Sequence, residues 1–210
     1  EPVNALFHIS YHKNIIFNGN GYDDAWIKEA TENRGLLNYR TTPDCVPHLL
    51  DKKNVQMLTS HGVFSEAELN SRYEITLENY CKTVVIEANT MADMAKTEIA
   101  PAVEAYAAEL AKSAAAKKAL DESVACSYEC GLVKKLSALT DRIAEKADEL
   151  EDALVVLHKA ENIGEEANTI RDSVLVRMCE LRVACDEAEK ITAKKYWPFP
   201  TYGDLLFGVK

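Results

Sequence analysis

The sequence predicts a mainly α protein: a long-helix antiparallel bundle or coiled-coil arm, with a short irregular N-terminal part holding a few short strands and an extended aromatic C-terminal tail. Three observations predict it. Between Ala102 and Trp197 there is no proline, and the glycines are Gly131 and Gly164 alone. Within that stretch Leu132, Leu136, Leu139, Ile143, Ala147, Leu150, Leu154 and Leu157 recur at steps of three and four, a near-heptad seam. The stretch then ends in Tyr196-Trp197-Pro198-Phe199-Pro200-Thr201-Tyr202, followed by Leu205, Leu206 and Phe207. Two prolines fix an extended course there. Aromatic surface left in water costs stability, so the tail is expected to dock into a cleft, in this chain or in a neighbour.

In chain order, residues 1–64 are irregular. Leu6–Ser10 and Lys13–Phe17 read as short strands. Asn18-Gly19-Asn20-Gly21 reads as a tight turn, because both residue types tolerate positive φ. Tyr22 to Ala30 reads as a helix with an acidic first turn, stopped by Gly35. Thr42-Pro43-Asp44 and Val46-Pro47-His48 punctuate a loop, and a short helix follows near Asp51 to Ser60. Ser65-Glu66-Ala67-Glu68 is a capping box opening a helix that carries Leu69, Tyr73, Leu77, Tyr80 and Val84 on one face. Pro101 is expected to kink or restart that helix, and an alanine-rich stretch runs on to about Leu120. Asp121 to Cys126 is a connection. The seam helix follows, then a turn at Asn162-Ile163-Gly164. A last helix offers Ile170, Val174, Met178, Leu181, Cys185 and Ala188. The pattern is equally compatible with two or three helices in the bundle.

Bulk composition narrows the function classes. Hydrophobic residues make up 47% of the 210, which excludes wholesale disorder. A net charge of −10 repels phosphate backbones, so no nucleic acid is expected as a partner. No apolar run approaches the roughly 20 residues of a membrane helix, so no membrane association is expected. The six cysteines form no CxxC and sit mostly in or beside predicted helices, as reduced thiols of a cytoplasmic protein do. The first residue is Glu1 rather than Met, which suggests a piece of a longer protein.

Each candidate for chemistry has a plainer structural reading. Asn18 to Gly21 lacks the spacing of a dinucleotide loop and the Gly-Lys-Ser/Thr of a P-loop. His8 and His12 are four apart, but no HExxH pattern accompanies them, and they read as surface or packing residues. His48 and His61 are isolated. Cys126 and Cys130 supply two of the four ligands zinc needs. Ser65 is explained by its cap. The pairs Asp23-Asp24, Glu165-Glu166 and Glu187/Glu189 read as solvated faces or first-turn acids. No nucleophile, base and oxyanion donors stand together in the pattern.

Three segments do carry a resemblance. They are Ile16 to Tyr22 with Trp26 and Lys28-Glu29-Ala30; His61-Gly62-Val63-Phe64-Ser65-Glu66-Ala67-Glu68-Leu69 continuing through Arg72-Tyr73-Glu74 and Glu78 to Thr83; and the tail Tyr196 to Leu206. Together they resemble the C-terminal part of type III glutamine synthetase. The resemblance implies a parent enzyme in which ATP phosphorylates the side-chain carboxylate of glutamate and ammonia attacks the acyl phosphate. It implies Mg (or Mn) bound with ATP in the parent, an upstream catalytic domain of the same chain as partner, and a ring-shaped homo-oligomer. It also implies a division of the chain. Residues 1–64 would be the irregular end of the catalytic domain and 65–100 a helix closing it. Residues 101–195 would be a helical insertion and 196–210 a tail docking back. No position here matches the family's metal ligands or phosphate-binding arginines. No catalytic, cofactor-binding or metal residue is therefore assigned, and this chain alone is expected to be inactive. The alternative is a free-standing helical protein-interaction module whose contact surface is the Leu132–Leu157 seam.

Overall fold

The structure is a computed structural model that describes residues 11–13 and 16–208. The mainly α class is what it shows, and among the described residues there is no strand. The strand expected at Leu6–Ser10 lies outside the described residues. The one expected at Lys13–Phe17 lies partly outside, and its described residues Lys13, Ile16 and Phe17 form no strand.

The N-terminal part is a string of short helices, each started by its own cap. α1 (Asp24–Lys28) begins at Asp23, whose side chain accepts from the Ala25 N–H at 2.9 Å. It widens into an i→i+5 turn over Glu29–Asn33 and is followed by Gly35 at φ +66, the left-handed position glycine favours. Asn18 to Gly21 is a loop, but its glycines need no positive φ. Instead the Asn20 side chain accepts from the Tyr22 N–H at 3.1 Å. The two Pro-containing tripeptides are helical rather than loop. Thr41 caps α2 (Thr42–Cys45), and a 3₁₀ turn over Val46–Leu50 follows. Pro43 and Pro47 each sit in a first turn, where the missing N–H has no bond to lose. α3 (Lys52–Ser60) then matches the predicted short helix.

α4 (Glu66–Met94) opens on the predicted capping box. The Ser65 N–H donates to Glu68 Oε2 at 2.7 Å, and the Glu68 N–H donates to Ser65 Oγ at 3.3 Å. A Ser65→Ala variant is expected to lose about 1 kcal/mol, a melting-temperature drop of about 2–4 °C by calorimetry. Pro101 restarts the helix, as expected, in the first turn of α5 (Ala100–Leu120). A wide turn over Ala95–Ile99, with the Ala100 N–H reaching Ala95 O, carries α4 into α5. The extra residue in that turn absorbs the crowding and the missing donor of the proline.

α6 (Ser127–Val156) returns alongside α5, and α7 (Ile163–Thr169) leads through a wide turn over Ile170–Val174 into α8 (Leu175–Glu189). Counting α4 and α5 as one run through the wide turn, three long helical runs pack up-down-up among the described residues, with α6 against both α5 and α8. The turn before α7 falls earlier than expected, because Asn162 is the cap and accepts from the Glu165 N–H at 3.0 Å. Gly164 lies inside the first turn of α7. A Cβ there would stand 3.1 Å from Tyr73 Oη, so glycine permits the close approach of α7 to α4.

The predicted seams form the core. Leu77, Leu136, Ile143, Leu150, Ile170 and Leu181 are fully buried. Burial pushes the Cys81 and Cys185 thiols up to about 11. Maleimide at pH 8 is expected to label exposed Cys45, Cys130 and Cys179 quickly, and buried Cys81, Cys126 and Cys185 only as the fold opens. Equal labelling of all six in the native protein would contradict this packing. Among the described residues no helix is long and apolar enough to cross a membrane.

Candidate functional site

The residues with chemical potential are scattered by the fold rather than gathered. His8 lies outside the described residues, and His12 is exposed with its ring edge-on to Tyr11. His48 Nδ1 contacts Asp51 Oδ2 at 2.9 Å and its ring stacks on Tyr39. His61 is exposed at the end of α3. Cys126 is buried with its thiol 3.7 Å from Ala114 O, whereas Cys130 faces solvent. Ser65, Asp23 and Glu165 act in helix starts, and Glu187 pairs with Arg142. Among the described residues no three His, Cys, Asp or Glu side chains group closely enough to hold a metal ion.

The fold instead gathers contacts that fix helices to one another. Lys96 on the wide turn bonds Asp148 and Glu151 of α6, both at 2.7 Å, and these carboxylates hold its ammonium above the ordinary value. Lys146 and Arg177 share Glu149 and Glu180 across the α6–α8 face, at 2.8–3.3 Å. Lys117 pairs with Glu129 near the α5–α6 connection, where it holds that carboxyl below its usual value. Arg171 bridges to Asp44 at 2.5 Å and to Asp172 at 2.7 Å, tying α2 to the bundle. Near it, Tyr80 Oη is buried with no hydrogen-bond partner among the described residues, and burial raises its phenol. Arg34 caps the stacked Phe17 and Trp26 rings, 4.8 Å from the Trp26 centroid. Sequence reading missed these cross-links because partners up to 127 residues apart leave no periodic signal.

The tail makes the second set of contacts. Tyr196 lies against Tyr106 of α5, with ring centroids 5.3 Å apart. Trp197 and Phe199 meet edge to face at 6.2 Å and pack half-buried on the core. They form a strap beside the groove between α4 and α8, and border an open recess there of about 480 Å³. Beyond the strap the course is not extended. Thr201 and Asp204 form a second capping box, which starts α9 (Tyr202–Leu206). Lys194 bonds Asp204 at 2.7 Å. That bond, with those from Thr201, holds the Asp204 carboxyl far below its ordinary 3.8. A folded value below the unfolded one means the stabilisation is complete well above pH 4 and fades as acid protonates the group. Trp197 fluorescence in a Trp26→Phe variant is expected to report loosening of the tail below about pH 4, and Asp204→Asn to remove that acid transition.

Fold and contacts together define an all-helical packing module: three long helical runs closed by an aromatic strap. The glutamine synthetase C-terminal domain model matches residues 5–118, and the chain belongs to that family. A glutamine synthetase of Butyrivibrio fibrisolvens is 39% identical over 202 residues, which is 95% of this chain and 28% of that protein. A type-3 glutamine synthetase of Dictyostelium discoideum is 30% identical over 93% of this chain and 27% of its own length. A glutamine synthetase of Bacteroides fragilis (strain YCH46) is 29% identical over 97% and 29%. The chain thus spans under a third of each relative, and the likeness extends beyond residue 118 through α6, α8 and the tail.

Proposed function

We propose that this chain is the C-terminal, non-catalytic region of a type III glutamine synthetase that joins ammonia to glutamate with ATP. The observation that carries the reading is the alignment of 93% of this chain with 27% of a protein named type-3 glutamine synthetase, beside a match of 95% of the chain to 28% of a glutamine synthetase. In this reading ATP and Mg or Mn act in the upstream catalytic domain of the same polypeptide, and the protein works in the cytoplasm. The chain supplies packing: residues 1–64 and the helix 65–100 close the catalytic domain, residues 101–195 form a projecting helical insertion, and residues 196–210 dock back. In this reading the ion-paired, strapped bundle holds subunits together in a homo-oligomeric ring. Deleting residues 102–190 from the parent and measuring native mass tests the assembly role. A fall to smaller species is expected, and an unchanged mass would overturn it.

A free-standing interaction module is the second reading. Its intended contact surface, the Leu132–Leu157 seam, lies largely inside the bundle: Leu136, Ile143 and Leu150 are fully buried. A partner on that seam would have to displace α5 or α8, which disfavours this reading.

A further inference from the structure

The recess beside the aromatic strap has a composition of its own. Its volume is about 480 Å³, within the range of small-molecule sites. Met91 and Met94 of α4 and the rings of Trp197 and Phe199 line it. Methionine adapts to the shape of a guest, and aromatic faces attract cations. The charged lining is three acids, Glu87 from α4 with Asp186 and Glu189 from α8, and one base, Arg182 of α8. Asp186 is engaged by Arg182 Nε at 2.7 Å. Glu87 and Glu189 form no ion pair with any described residue. Two unpaired carboxylates thus stand on opposite helices at the mouth of an apolar, aromatic recess. A recess of this volume suits a compact guest.

We propose that this recess is a binding site for a small organic cation, an ammonium ion carried on an aromatic or alkyl body. The apolar body lies against Met91, Met94 and the strap, and the charge meets Glu87 and Glu189.

Phenethylammonium chloride, titrated into the chain carrying Trp26→Phe so that Trp197 alone reports, tests it. Saturable change with Kd of about 1 mM or tighter is expected. Phenylacetate, the same body with the opposite charge, is expected to leave the signal unchanged. A Glu87→Gln/Glu189→Gln variant is expected to bind about tenfold more weakly. Its melting temperature checks that the fold is intact, and the single substitutions serve if the pair disturbs it. No saturation up to about 20 mM, equal response to phenylacetate, or unchanged affinity in the Gln variants would each overturn the assignment. A response to a basic amphipathic Leu/Lys peptide without one to phenethylammonium would also overturn it, in favour of a peptide-docking surface.

Discussion

Leu150→Ala is expected to destabilise the chain by about 3–4 kcal/mol, read as a fall of about 6–16 °C in melting temperature. Leu150 is fully buried on α6, at the level where Lys96 reaches Asp148 and Glu151. α6 lies between its two neighbours, so the deleted methyl groups leave a cavity walled from both sides. Rigid helices collapse into such a space only partly, which adds to the lost transfer energy. Val155→Ala, five residues on and 64% exposed, is expected to change stability by under about 0.5 kcal/mol. Comparable losses in the two variants would mean that α6 does not pack as the central helix.

The second large effect is expected from the strap. Removing both rings in Trp197→Ala/Phe199→Ala is expected to cost about 2–3 kcal/mol, less than two fully buried aromatics because both are half-buried. The loss is local as well as global. Once the rings are gone, the tail keeps the Lys194–Asp204 pair, which is already largely exposed and holds it only weakly by itself. Trypsin is therefore expected to cut after Lys195 at least tenfold faster in the variant, while cleavage within α6 changes far less. Cleavage rates that rise equally everywhere would show that the tail is part of one global unit rather than a strap laid over a finished bundle.

Much of this architecture was legible in the chain, and the particular residues show why. The steps of three and four from Leu132 to Leu157 reported a buried face directly, because helical periodicity and burial are one geometric fact. Ser65 and Glu68 announced their helix because a capping box is local. The sequence reading failed where local signals were ambiguous. Pro43 and Pro47 mark loops in most contexts, yet a first helical turn tolerates them equally. Pro101, by contrast, was read rightly as a restart, for α5 begins at Ala100 directly after the wide turn. α9 hides in the tail because Thr201 and Asp204 form a cap whose spacing is easily overlooked among aromatics. The candidate cavity could not be foreseen. Glu87 and Glu189 lie 102 residues apart in the sequence, and only the up-down-up course of the helices brings them to one rim.

The central claim, that this chain serves as one region of a glutamine-forming ligase, is tested most directly on the natural gene product. It should be purified, weighed by mass spectrometry and assayed for glutamine formation from glutamate, ammonia and ATP. The account predicts a polypeptide of about 720 residues, the length at which 202 residues make 28%, that makes glutamine and ends in this sequence. A native product of only 210 residues, with no ligase activity, would contradict it.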